Sequence, residues 1–120
     1  MAVSRAIEMV RGLIHDLDRR ISQFEVEAFD VDDELISAFC EELERISANL
    51  QTGLNTLDGE MIRTAAHSIK GMGGTMGLPE ISVLAQEVEL TLRNEEMERC
   101  STLCQALVNW SHEFVAHNEY

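Results

Sequence analysis

Ile62-Arg63-Thr64-Ala65-Ala66-His67-Ser68-Ile69-Lys70-Gly71-Met72-Gly73-Gly74-Thr75-Met76-Gly77 is the stretch from which the organisation of this chain can be read. On a helical wheel at about 100° per residue, Ile62, Ala66, Ile69, Gly73 and Met76 gather on one side. That side is the candidate core face. His67 falls roughly 160° from its centre and is expected to point to solvent. A lone histidine on a helix says little; its neighbours say more. Arg63 lies one turn before it and Lys70 three residues after it, both on the histidine's side. Lys70 is the only lysine of the chain, the other eight cations being arginine.

Gly71, Gly73, Gly74 and Gly77 fall within seven residues. Each costs about 1 kcal/mol relative to alanine inside a helix. One reading ends the helix at Gly71. Met72 and Met76 keep the apolar phase of Ile62 and Ile69, however, and favour a continuing helix. In that helix Gly73 permits close packing on the inside. Gly71 and Gly74 would leave the surface beyond the imidazole open to a partner.

The same helical period extends in both directions. Ile7, Val10, Ile14, Leu17, Ile21 and Phe24 alternate steps of three and four, predicting an N-terminal helix over roughly residues 3–24. Its narrow stripe could pack on the remaining chain or on a second copy. Asp32 or Asp33 is placed to cap the next helix, which carries Leu35, Ile36, Phe39, Leu43, Ile46 and Leu50. Gly53, Asn55 and Gly59 mark a loop, and Asp58 caps the helix of His67. Gly77 and Pro79 close that helix and open another, from about Pro79 to Leu92. Asn94 marks a break before a last helix, about Glu95 to Phe114. No strand pattern or repeat is visible. The expectation is an all-α, antiparallel up-down four-helix bundle over about residues 32–116, with an additional N-terminal helix, in a single domain of residues 1–120.

The bulk properties exclude several functions. The 120 residues carry a net charge of −13, a poor match for nucleic acid or an anionic membrane. Nine of the twenty residues from Glu25 to Glu44 are acidic, in keeping with a solvated face and linker. Cys40, Cys100 and Cys104 read as small buried hydrophobes, not as a metal site or a disulfide framework. No apolar run is long enough to span a bilayer. A cytoplasmic location follows as the expectation.

An imidazole is a good nucleophile towards phosphoryl groups near neutral pH, and neighbouring cations stabilise the transferring oxygens. No P-loop, kinase glycine loop or metal motif accompanies it. The run His67, Ile69, Lys70, Gly71, Gly77 resembles the signature of histidine phosphotransfer (HPt) domains, and Arg63 and Gly74 are typical beside it. The resemblance covers roughly residues 30–115. It implies a four-helix bundle whose exposed His67 takes a phosphoryl group on Nε2 from the phosphoaspartate of a receiver domain. Another response regulator then receives that group. Lys70 would sit near the phosphoryl oxygens, with Gly71 leaving room for them. Glu89, 22 residues after the histidine, occupies the place of a family residue that hydrogen-bonds the imidazole; an ordinary surface acid is the other reading of it. The resemblance further implies a phosphoryl carrier that is not an enzyme and has no cofactor or metal of its own. The Mg²⁺ would come with the receiver, and a hybrid or sensor histidine kinase would be a further partner. The chain would be a monomer, with dimerisation through the N-terminal helix as the alternative. Two other functions fit the residues: the phosphorylatable N-terminal domain of a chemotaxis-type kinase, or a helical adaptor that is never phosphorylated.

Overall fold

The structure, a computed structural model, describes residues 2–24 and 32–118, with side chains of the first helix from residue 8 onward. The helices are α1 (Ala2–Leu13), α2 (Leu17–Ile21), α3 (Asp33–Thr56), α4 (Gly59–Thr75), α5 (Pro79–Arg93) and α6 (Met97–His117), and a short 3₁₀ turn, Ser22–Phe24, follows α2. There is no strand among the described residues. Links of two or three residues join α3 to α6, which forces antiparallel neighbours. The four close an up-down bundle in which α3 meets α4 and α6, and α5 meets α4 and α6.

Local chemistry sets the helix starts. Asp32 Oδ1 accepts from the Leu35 amide at 2.8 Å, and Asp58 Oδ1 from the Met61 amide at 3.1 Å. Each satisfies an amide that has no partner within its helix. The ends of α3, α4 and α5 share one hydrogen-bonding pattern. Asp58 N donates to Gly53 O, Leu78 N to Gly73 O and Glu96 N to Thr91 O, each at 2.8 Å. These are the long bonds of Schellman caps, which need a left-handed residue just before the donor. Gly77 fills that place after α4 with φ 75°. Leu57 and Glu95 fill it after α3 and α5, with φ 55° and 60°. The α3 helix therefore runs through Gly53 and Asn55, where a loop was expected. Gly53 is buried against Ile62.

The interior follows the helical period. Leu43, Leu50, Ile62, Leu84, Val88, Leu103 and Leu107 are fully buried. Phe39 and Phe114 stack edge to face at 5.4 Å, and Trp110 lies 5.1 Å from Phe114. The sulfurs of Cys100 and Cys104 are buried 3.9 Å apart, and no disulfide forms among the described residues.

The N-terminal stretch departs from the expected single helix over 3–24. It breaks after Leu13 and bends through residues 14–16 into α2. A straight helix of that length would run about 33 Å, whereas α5, on which it lies, is about 22 Å long at the same rise. The break keeps the stripe on the bundle: Val10, Ile14 and Leu17 are buried, and Ile21 and Phe24 pack against the core. From Val10 to Leu17 the stripe that a dimer would have used is buried within the chain, and Ile21 and Phe24 are half-buried. Polar bonds hold the bend. Arg20 donates to Glu87 Oε1 at 2.6 Å and to Gln86 Oε1 at 2.7 Å. Arg99 donates to the Leu13 carbonyl at 3.1 Å.

Candidate functional site

Helix α4 buries Ile62, Ala65, Ala66, Ile69 and Gly73. Phase alone then sends His67 outward, and its side chain is 66% exposed. Glu89 arrives from α5, with 14% of its side chain exposed. Its Oε2 stands 3.5 Å from His67 Nδ1. Its Oε1 stands 2.7 Å from Lys70 Nζ, a charge pair whose angles fall outside a hydrogen bond. One carboxylate from the neighbouring helix thus faces both the imidazole and the lysine. Nδ1 is the ring nitrogen that pairs with this carboxylate. A carboxylate facing Nδ1 favours the tautomer that keeps the proton there and leaves the Nε2 lone pair free.

The α4 helix continues past Gly71 to Thr75, which decides between the two readings of the glycine run. The glycines do different things. A Cβ on Gly71 would meet nothing within 4 Å, so the surface one turn beyond the imidazole is bare. Gly73 faces inward, where a Cβ would fall on Ser82 Oγ and come within 2.9 Å of the Leu78 carbonyl oxygen. That hydroxyl accepts from the Gly74 amide at 2.9 Å and donates to the Lys70 carbonyl at 2.6 Å. It thereby fastens to α5 the part of α4 that carries Lys70.

Three expected site residues take other positions. Gly74 is not bare as Gly71 is: it is buried, and a Cβ there would overlap the Phe24 carbonyl oxygen. Gly77 forms the left-handed cap of α4. Arg63 turns back to Glu60, with Nη2 2.5 Å from Oε1. This exposed i, i+3 pair keeps the Glu60 carboxyl below its ordinary range, and the Arg63 guanidinium also feels the charge of Glu89. Lys70 is the cation that pairs directly with the carboxylate facing His67. Sequence reasoning missed Ser82, Gln23 and Phe24. Gly73, lying on the apolar face, signalled a close approach, but nothing in the sequence named the residue that approaches. Gln23 and Phe24 line a groove of about 290 Å³ with His67, Lys70, Gly71 and Gly74.

A family model, the Hpt domain, matches residues 34–116. The chain belongs to the Hpt domain family. The match spans α3 to α6 almost entirely and leaves α1, α2 and the 3₁₀ turn outside it. Comparison with the curated proteins and with the solved structures found no match. As an Hpt domain the chain is a phosphotransfer module of two-component signalling, whose partners are receiver domains and histidine kinases. Among the described residues of this Hpt domain, no group of three or more His, Cys, Asp or Glu side chains is placed to hold a metal ion. No helix among them is long and apolar enough to cross a membrane.

Proposed function

We propose that His67 is the phosphoryl carrier, accepting the group from a receiver phosphoaspartate and passing it to an aspartate of another response regulator. The observation that carries this reading is the position of Glu89 between His67 Nδ1 and Lys70 Nζ. With the proton on Nδ1, the Nε2 lone pair attacks phosphorus. The N–P bond forms, the bond from phosphorus to the aspartyl oxygen breaks, and the aspartate leaves as a carboxylate. The ring, now substituted on both nitrogens, becomes cationic. Glu89 offsets that charge at Nδ1, and no proton has to move. Lys70, on the same side of the helix, neutralises phosphoryl oxygens, and its pairing with Glu89 pre-positions it. The bare surface at Gly71 leaves room for the group. The receiver brings the Mg²⁺ that this chemistry needs. Return transfer is the same step reversed, so the chain acts as a carrier without a catalytic cycle of its own. The absence of a disulfide among its described cysteines suits a reducing, cytoplasmic setting.

The test is incubation with radiolabelled phosphorylated receivers. The wild-type chain should gain phosphate that is labile to acid and stable to base, and His67→Gln should gain none. Equal labelling of His67→Gln would overturn the assignment.

A further inference from the structure

The N-terminal segment lies outside the stretch that the family model matches, yet it reaches the phosphoacceptor. Arg20, only 13% exposed, fixes the segment to α5 through Glu87 and Gln86. Four residues later Phe24 rests on α4 at Gly74, two turns beyond His67 on the same side of the helix. Its carbonyl occupies the space that a Cβ on Gly74 would take, with its own Cβ 3.6 Å from that position. Only a glycine admits the segment at this height. Gln23 and Phe24 thereby form one wall of the groove whose other wall is His67, Lys70, Gly71 and Gly74.

We propose that Gln23 and Phe24 are part of the surface on which a receiver domain docks, and that they set which receivers exchange phosphoryl with His67. The inference rests on the phosphocarrier reading of His67 and adds to it. Continuity with the site is the first support: a body large enough to bring an aspartate to His67 spans a groove of this size and meets both walls. The wall is also preformed. Arg20 anchors the segment just before it and Phe24 packs on Gly74, so less conformational freedom is lost when a partner meets it. Charge is the third support. In a chain of net charge −13, the two described residues of this wall, Gln23 and Phe24, are uncharged, so their side chains do not themselves repel a phosphoryl group or an acidic receiver site. An aromatic side chain beside an exposed amide is also the kind of group on which interface energy concentrates.

The experiment measures initial rates of phosphotransfer to the full-length chain from a panel of phosphorylated receivers, with labelling by phosphoramidate as a donor too small to need the wall. Two variants are compared with wild type: Phe24→Ala, which shortens the wall, and Gln23→Trp, which adds bulk at an exposed position that the fold does not use. Each should change at least one receiver rate by about tenfold and reorder the panel, with phosphoramidate labelling unchanged. Receiver rates equal to wild type in both variants would overturn the inference and leave the carrier reading intact. A uniform fall in both receiver and phosphoramidate labelling would also overturn it, by showing a general effect on His67. A wild-type chain that takes phosphate from no receiver would overturn the carrier reading, and this inference with it.

Discussion

The hydroxyl of Ser82 occupies the space that a side chain on Gly73 would fill, bridging the Gly74 amide and the Lys70 carbonyl. A helix-weakening residue is kept because α5 needs that space to come close. Gly73→Ala should destabilise the domain by about 1–3 kcal/mol despite alanine's better helix propensity, since backbone atoms at Leu78 and Ser82 must shift. Ser82→Ala should cost about 1–3 kcal/mol by leaving buried backbone groups unpaired. The double variant should cost less than the sum of the two. Urea unfolding of the three variants measures this.

Glu89 serves His67 and Lys70 together, and the two roles separate by mutation. Glu89→Gln should slow phosphotransfer to His67 by about tenfold, roughly 1.4 kcal/mol of transition-state stabilisation, because the imidazolium formed at transfer loses its counter-charge. Lys70→Ala should slow transfer and also destabilise the fold, since it leaves a largely buried carboxylate without its cation. Combining Lys70→Ala with Glu89→Gln should restore stability and not transfer. Rapid-quench transfer rates beside unfolding curves would show the split. Recovery of transfer in the double variant would contradict it.

Two helix caps use residues that are poorly suited to them. Leu57 and Glu95 hold the left-handed conformation that Gly77 holds without strain. A side chain in that region costs about 1–2 kcal/mol. Leu57→Gly and Glu95→Gly should therefore each stabilise the chain by up to about 1 kcal/mol after glycine's greater freedom in the unfolded state is counted. Thermal unfolding decides it, and a lowered midpoint in both variants would be the wrong sign.

Glu80 is buried at the first turn of α5, with Oε1 lacking a hydrogen-bond partner. Burial raises its pKa above the ordinary 4.5, against a smaller opposing contribution from its backbone hydrogen bond. A raised carboxyl pKa means that the folded state holds the proton more tightly than the unfolded state. The stabilising contribution is complete below the ordinary value and is lost as pH rises through the folded one. Relative to Glu80→Gln, wild type should lose stability as the pH rises above the ordinary value of 4.5. Stability differences measured across that range should grow with pH, and a flat difference would refute the argument.

Much of this architecture was legible in the sequence. Helical periodicity identified the four bundle helices, and it placed Ile62, Ala66, Ile69 and Gly73 inside and His67 outside, because phase on a helix is local arithmetic. Asp32 and Asp58 were readable as caps because their side chains supply the missing acceptor. The end of α5 was readable from Asn94, but the end of α3 and the left-handed residues Leu57 and Glu95 were not, since nothing in those side chains favours positive φ. The N-terminal stripe was visible, but its bend was not, because the length of α5 sets where the chain must turn. Spacing could put Arg63 and Lys70 on the histidine's side. It could not say that Arg63 would pair with Glu60 or that Lys70 would pair with Glu89. Those outcomes depend on which groups neighbouring helices bring within a few ångströms. The sequence alone determined the helices and the exposed histidine. Only the tertiary structure decided that Glu89 faces both His67 and Lys70, that Ser82 fills the space at Gly73, and that Phe24 closes over Gly74. A helix knows its own period, while contacts between helices exist only once the core has packed.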